Sequence, residues 1–293
     1  MTSSAPTPTV ISGLAEVASR YDAIFCDVWG VIHNGRESFP DALDALSRYQ
    51  NLRGAPVVLV SNSPRPSEDV KAQLHALLVP DHAWSGFVTS GDATRAELMR
   101  RAPGPAWAVG PERDKTLYEG TGVSFAGPAE AAFISATGLF SDETETPEDY
   151  RADLTLAAAR GLPMVCANPD IIVQRGEKII YCAGALAQLY ATLGGEVIMA
   201  GKPHAPIYEL ALEETARLVG KPVDRTRILA VGDGLPTDVT GANQQGIDCL
   251  FIAAGIHAVE AFGDDGGLDT VKVGRMLGEA GLSAAFAMPR LVW

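Results

Sequence analysis

The sequence predicts an α/β protein: a parallel sheet with covering helices, and a second α+β domain inserted into it. Three observations predict this. Short apolar runs alternate with helical segments near both ends of the chain, as in a sheet built from β-α-β units. Several of those runs stop at a polar cluster, which is where the strands of an open parallel sheet present ligands. Between the two ends the rhythm changes, with strand candidates more widely spaced.

From the amino end, Met1 to Val10 is rich in Ser, Thr and Pro and is expected to be disordered. Ile11 to Tyr21 reads as a short helix. The run Ala23-Ile24-Phe25-Cys26 then drives into Asp27, and Gly30 follows three residues later. That is the pattern of a buried strand ending in an exposed carboxylate at a tight turn. Leu43 to Leu52 is a helix, Pro56 to Val60 a strand that ends at Ser61-Asn62-Ser63-Pro64, and Ser67 to Leu78 a helix with Ser67 as its N-cap. Gly86 to Thr89 is the next strand. In the middle, Ala106 to Val109, Ala132 to Ser135 and Met164 to Ala167 are strand candidates, and Ile171 to Tyr181 reads as a hairpin turning at Arg175-Gly176-Glu177. Toward the carboxyl end the first rhythm returns. Val197 to Ala200 is a strand, Ile207 to Val219 a helix, and Arg227 to Val231 a strand that runs into Gly232-Asp233-Gly234. Cys249 to Ala253 is a strand and Leu268 to Ala280 a helix. The core is therefore expected from 1–87 and 191–293, with the insert at 88–190. No internal repeat is evident.

Composition narrows the function. Of 293 residues, 47% are hydrophobic, enough for a real core, and about two domains follow from the length. A net charge of −13, from 36 acids against 23 bases, argues against a nucleic-acid or anionic-membrane partner, since phosphate backbones need Lys and Arg. One local cationic site still suffices for a small phosphorylated molecule. The cysteines Cys26, Cys166, Cys182 and Cys249 form no C-x-x-C pair and read as buried free thiols of a reducing compartment. There is no signal-peptide pattern and no apolar run long enough to span a bilayer, so a soluble cytoplasmic protein is expected.

Four polar clusters fall at strand ends or just after them: Asp27, Ser61-Asn62, Gly201-Lys202-Pro203, and the run Gly232-Asp233-Gly234-Leu235-Pro236-Thr237-Asp238. Singly, each has a plain structural explanation. Asp27 can cap a turn, Lys202 can be a solvated loop charge, Gly-Asp-Gly is a common turn, and Asp238 can be a helix N-terminal acid. Together they supply the parts of a phosphoryl-transfer site. Carboxylates hold Mg²⁺ through oxygen, a hydroxyl and backbone N–H groups hold phosphoryl oxygens, and a lysine offsets their charge.

The order of these clusters resembles motifs I to IV of the haloacid dehalogenase (HAD) superfamily. Gly-Lys-Pro and Gly-Asp-Gly-Leu-x-Thr-Asp resemble its class IIA branch of nucleotide, sugar-phosphate, 4-nitrophenyl-phosphate and pyridoxal-phosphate phosphatases. Asn168-Pro169-Asp170 resembles a segment near the end of the class IIA cap. Only 34 positions separate Asp27 from Ser61, too few for a cap, whereas 141 separate Ser61 from Lys202, where a C2-type cap is inserted. The resemblance implies a Rossmann-like HAD core and a Mg²⁺-dependent hydrolase acting on a small phosphorylated metabolite. Asp27 would be the nucleophile that forms an aspartyl-phosphate. Ser61 would hydrogen-bond the phosphoryl group beside Asn62, and Lys202 would orient the nucleophile and offset charge. Asp27, Asp233, Asp238 and the main-chain carbonyl of Trp29 would hold the metal. A homodimer through the cap is also compatible with the resemblance.

Trp29 departs from this pattern. The family's phosphatases carry an aspartate there, which protonates the leaving group and then deprotonates water. An indole offers only an N–H donor and does not titrate. General acid–base catalysis is worth about 10²–10⁴ in rate, so a slow phosphatase is physically allowed. His33, six residues after Asp27, reads as an exposed turn histidine, with a substitute acid as the alternative. Two other chemistries stay open. Haloacid dehalogenases carry an aromatic residue at this position but use no Mg²⁺ and place their cap elsewhere. A phospho-ligand binder or sensor would need no acid at all.

Overall fold

Two strands from opposite ends of the chain, Ala23–Cys26 and Ile228–Gly232, pair at the centre of the main sheet. The computed structural model describes residues 7–175, 178–255, 258–263 and 265–293. Its strands are β1 (Thr9–Val10), β2 (Ala23–Cys26), β3 (Val57–Ser61), β4 (Gly86–Thr89), β5 (Ala106–Val109), β6 (Phe133–Ala136), β7 (Met164–Cys166), β8 (Ile172–Arg175), β9 (Lys178–Tyr181), β10 (Val197–Met199), β11 (Ile228–Gly232), β12 (Asp248–Ile252) and β13 (Phe286–Met288). A seven-stranded sheet runs β1-β13-β12-β11-β2-β3-β4. β2 pairs in parallel with β11 on one side and β3 on the other. From β2 the chain winds outward through β3, and from β11 it winds the opposite way through β12 and β13. The carboxyl ends of β2 and β11 are thus a topological switch point, where an open α/β sheet leaves a crevice.

Burial explains the strands. Every residue of β2, β3 and β11 is buried, so these apolar runs read as continuous rather than alternating. Helices Pro40–Arg53, Ala205–Val219 and Thr270–Glu279 lie within three residues of their expected bounds. The last begins at an N-cap, Asp269, whose carboxylate accepts the N–H groups of Val271 (2.9 Å) and Lys272 (3.0 Å).

The chain divides into two compact units, one of 1–61, 73–87 and 208–293 and one of 62–72 and 88–207. The second contains a four-stranded parallel sheet, β10-β7-β6-β5, and the antiparallel hairpin β8-β9. The tip of that hairpin, Gly176-Glu177, lies outside the described residues. Its own core includes Trp107, Ile134, Tyr150, Met164, Leu186 and Tyr190.

Three differences from the sequence expectations have physical causes. The amino end is not wholly irregular: Thr9 and Val10 pair in parallel with Phe286 and Ala287, partners that local composition cannot reveal. Residues 1–6 lie outside the described residues. Ile11 to Tyr21 forms two 3₁₀ turns, Leu14–Glu16 and Ala18–Arg20, rather than a helix. There the Leu14 N–H donates to Val292 O (2.9 Å), and Gly13 lies so close to Trp293 that a Cβ would stand 2.4 Å from its carbonyl oxygen. Val197–Met199, expected with the carboxyl-terminal elements, pairs with Met164–Cys166 of the second unit's sheet.

Candidate active site

Parallel pairing sets two acids side by side. Val231 of β11 is in register with Cys26 of β2, so the next residues, Asp27 and Gly232-Asp233, leave the sheet at the same edge. The Asp27 N–H still donates to Val231 O (2.8 Å), which holds the strand end in place. Beyond Gly232 the chain makes one wide π turn, Leu235–Val239. Such turns re-aim side chains, and here the turn brings Asp238 back toward the strand end. Its carboxylate accepts the Gly234 N–H (3.0 Å), and its own N–H donates to Gly234 O (2.9 Å). One ligand oxygen from each of Asp27, Asp233 and Asp238 lies within 4.8 Å of the others, and all three residues are buried. Asp27 was expected exposed; it is 9% exposed.

Glycines make room for this cluster. A Cβ on Gly255 would stand 1.8 Å from Asp233 Oδ2, one on Gly30 2.3 Å from the same atom, and one on Gly232 2.2 Å from Asp238 Cγ. Gly30 also has φ +87°, which an L side chain rarely adopts. Gly30 is visible in the sequence as a turn glycine; nothing in the sequence marks Gly255 as a neighbour of Asp233.

Carboxylates held this close repel one another when they carry charge. A divalent cation relieves that repulsion, and an all-oxygen donor set suits a small hard ion. The residues therefore fit a metal of this kind.

Trp29 and His33 occupy the turn that follows Asp27. The two rings meet edge to face, centroids 5.2 Å apart. The indole lies over Gly35, where a Cβ would stand 2.5 Å from Trp29 Cη2. His33 is 1% exposed, not the exposed turn residue expected. Its Nδ1 accepts the Gly35 N–H (3.0 Å), and burial pushes the imidazole down to about 4. A neutral ring whose Nδ1 is already an acceptor is packing for Trp29 and a poor proton donor at neutral pH.

Ser61, buried at the end of β3, closes the segment of the first unit that begins the chain. Asn62, Lys202 and Asp170 belong to the second unit. Asn62 Oδ1 accepts the Lys202 N–H (2.7 Å), and Nδ2 donates to Lys202 O (3.1 Å) and Asp170 Oδ1 (2.9 Å). Lys202 is 3% exposed, which removes the solvated-loop explanation for it. Asp170 was visible in the sequence only as part of Asn168-Pro169-Asp170; its bond to Asn62 spans 108 positions and has no local signal.

Residues 24–124 match the family described as haloacid dehalogenase-like hydrolase, and residues 199–273 match one described as HAD-hydrolase-like. The chain is also similar to a crystal structure of a haloacid dehalogenase-like family hydrolase from Brucella suis 1330. The two share 45% identity over 97% of this chain and 100% of that one, with a TM-score of 0.87. The chain belongs to the haloacid dehalogenase-like hydrolases. It is 25% identical to the acid sugar phosphatase of Staphylococcus aureus strain USA300, over 82% of this chain and 90% of the relative. A structure described as a possible sugar phosphatase of the HAD superfamily, from Cytophaga hutchinsonii ATCC 33406, shares the fold. Its TM-score is 0.76 at 19% identity, covering 97% of this chain and 99% of that one. As a haloacid dehalogenase-like hydrolase, the chain keeps the acid cluster compact while carrying an indole two residues after Asp27.

Proposed function

We propose that this hydrolase is a Mg²⁺-dependent phosphatase of small phosphorylated metabolites, working through an aspartyl-phosphate on Asp27. The observation that carries it is the convergence of Asp27, Asp233 and Asp238 at one edge of the sheet. The acid sugar phosphatase relative supports the substrate class. Asp27 attacks phosphorus and the P–O bond to the leaving group breaks, the departing oxyanion taking its proton from water; a second water then attacks the phosphorus of the aspartyl-phosphate, releasing inorganic phosphate and regenerating the carboxylate. Ser61 holds a phosphoryl oxygen, the backbone N–H at Asn62 joins it, and Lys202 offsets the developing charge. Asp233, Asp238, Asp27 and the Trp29 carbonyl would hold Mg²⁺, which when bound stabilises negative charge on the phosphoryl group. The second unit, centred on 88–190, would select the substrate.

Supporting properties extend the proposal. Four buried free cysteines suit a reducing cytoplasm. The net charge of −13 supports a small ligand over nucleic acid. Ile172, Ile179 and Tyr181 form an exposed apolar face on the β8-β9 hairpin, which supports a homodimer through this unit; a monomer by sedimentation at micromolar concentration would sink that part.

The test is phosphate release from a panel of phosphate esters. Release is expected with Mg²⁺, lost with chelator and abolished in Asp27→Asn. No release from any ester, with Mg²⁺ shown to bind, overturns the proposal. Trp29 favours a second reading, a phospho-ligand binder with no turnover, which predicts beryllofluoride binding and no phosphate release. Halide release from 2-haloacids without metal would instead reveal dehalogenase chemistry.

A further inference from the structure

We propose that Asn62 is a positioning residue for Lys202, itself oriented by Asp170. This rests on the proposed role of Lys202 in offsetting phosphoryl charge. A side-chain amide has one oxygen acceptor and two N–H donors. In Asn62 all of these are engaged, and both bonds to Lys202 go to its backbone rather than its ammonium: Oδ1 takes the N–H at 2.7 Å, and Nδ2 meets the carbonyl at 3.1 Å. Gripping the two peptide groups of one residue fixes the direction in which its Cα–Cβ bond leaves the chain. The Lys202 stem is long, so a small rotation at the backbone becomes a large displacement at Nζ.

The orientation of the amide is not arbitrary. Asp170 Oδ1 lies 2.9 Å from Nδ2, so a flipped amide would set oxygen against carboxylate and oxygen against carbonyl. Asp170 is itself held on both sides. Its N–H donates to Asn168 Oδ1 (3.1 Å), and its carbonyl accepts the Gly184 N–H (3.1 Å). The neighbour of Lys202 completes the fit. At Gly201, a Cβ would stand 2.5 Å from Ser90 Oγ, 2.6 Å from Asn62 Oδ1 and 2.8 Å from Pro169 Cδ. Asn62 therefore packs onto a bare α-carbon, and only glycine leaves its amide within reach of both Lys202 groups. Asn62 and Lys202 are 4% and 3% exposed, so water does not compete freely for these bonds.

Displacement of a charge-stabilising group by about 1 Å can cost ~10²-fold in rate. Asn62→Ala is therefore expected to lower kcat on 4-nitrophenyl phosphate by roughly 10–100-fold, with KM changed much less. The same substitution in a Lys202→Met background is expected to cost less than about threefold, because the group it positions is gone. Asn62→Asp is isosteric but turns a donor into an acceptor facing Asp170, and is expected to match Asn62→Ala. Asp170→Asn, which keeps an oxygen acceptor, is expected to retain more activity than Asp170→Ala. A second readout needs no turnover: calorimetric binding of inorganic phosphate, weakened by Asn62→Ala in the wild-type background and not in Lys202→Met. Additive losses in the double variant, by either readout, overturn the proposal, as does an Asn62→Asp variant equal to wild type. If wild type hydrolyses no ester while phosphate binding shows the non-additive pattern, the phosphatase reading fails and the positioning role stands.

Discussion

Trp29 decides how far the chemistry proposed for Asp27 can go. Its indole carries no titratable proton, and His33 beside it is neutral, with Nδ1 already bonded to the Gly35 N–H. An aryl phosphate loses a leaving group that needs little protonation, whereas an alkyl phosphate needs an acid. Trp29→Asp is therefore expected to raise kcat on an alkyl phosphate by about 10²–10⁴ and on 4-nitrophenyl phosphate by much less. The same change removes the contacts over Gly35 and the edge-to-face contact with His33. A stability loss of about 2 kcal/mol, below the full cost of a buried aromatic, is expected by denaturant titration. No rate gain on either ester would assign the indole a role of its own in shaping the pocket. At this scale the sequence was informative where acids follow a strand end, since Asp27, Asp233 and Asp238 do come together. It was silent where the meaning lies in a remote partner. Nothing local connects Asn62 with Asp170 or Gly255 with Asp233.

Elements were legible where their apolar period is strong. β4 and β5 fall where their apolar runs lie, and the helix Thr270–Glu279 starts where Asp269 caps it. They were illegible where ladder partners decide. β1 exists because β13 is beside it, and β10, although read as a strand from its apolar run, takes its place beside β7 in the second unit from a pairing that nothing local shows. The loop after β12 shows the same dependence at the site, since Gly255 yields its side-chain space to Asp233. Two glycine substitutions separate steric from conformational effects. At Gly54, φ is +60° and nothing lies within 4 Å of a Cβ, so Gly54→Ala is expected to cost about 1 kcal/mol by unfolding and to leave metal binding alone. Gly255→Ala must move Asp233, and is expected to weaken Mg²⁺ binding at least tenfold by calorimetry while the fold persists. Equal Mg²⁺ affinities in the two variants would show that the glycine does not shape the cluster.

For the whole molecule, charge and metal act on the same balance. The chain carries a net charge of −13, and three of its acids crowd within 4.8 Å in the first unit. Any salt screens diffuse repulsion, whereas a cation bound at the cluster acts on the local one directly. A ligand that binds only the folded state stabilises it by RT ln(1 + [L]/Kd), roughly 2.7 kcal/mol at a hundredfold excess over Kd. In a chain of this size that is a rise in Tm of about 5 °C, measured by scanning calorimetry. The rise is expected with MgCl₂ and not with NaCl at equal ionic strength. Asp238→Asn should lose it, since the amide oxygen can still accept the Gly234 N–H and preserve the turn while one charged ligand is gone. The variant without Mg²⁺ is expected to be no less stable than wild type without Mg²⁺, because neutralising Asp238 removes its repulsion with Asp27 and Asp233. Equal responses of variant and wild type to MgCl₂ would mean that the cation acts by screening alone, and that the acid cluster is not its site.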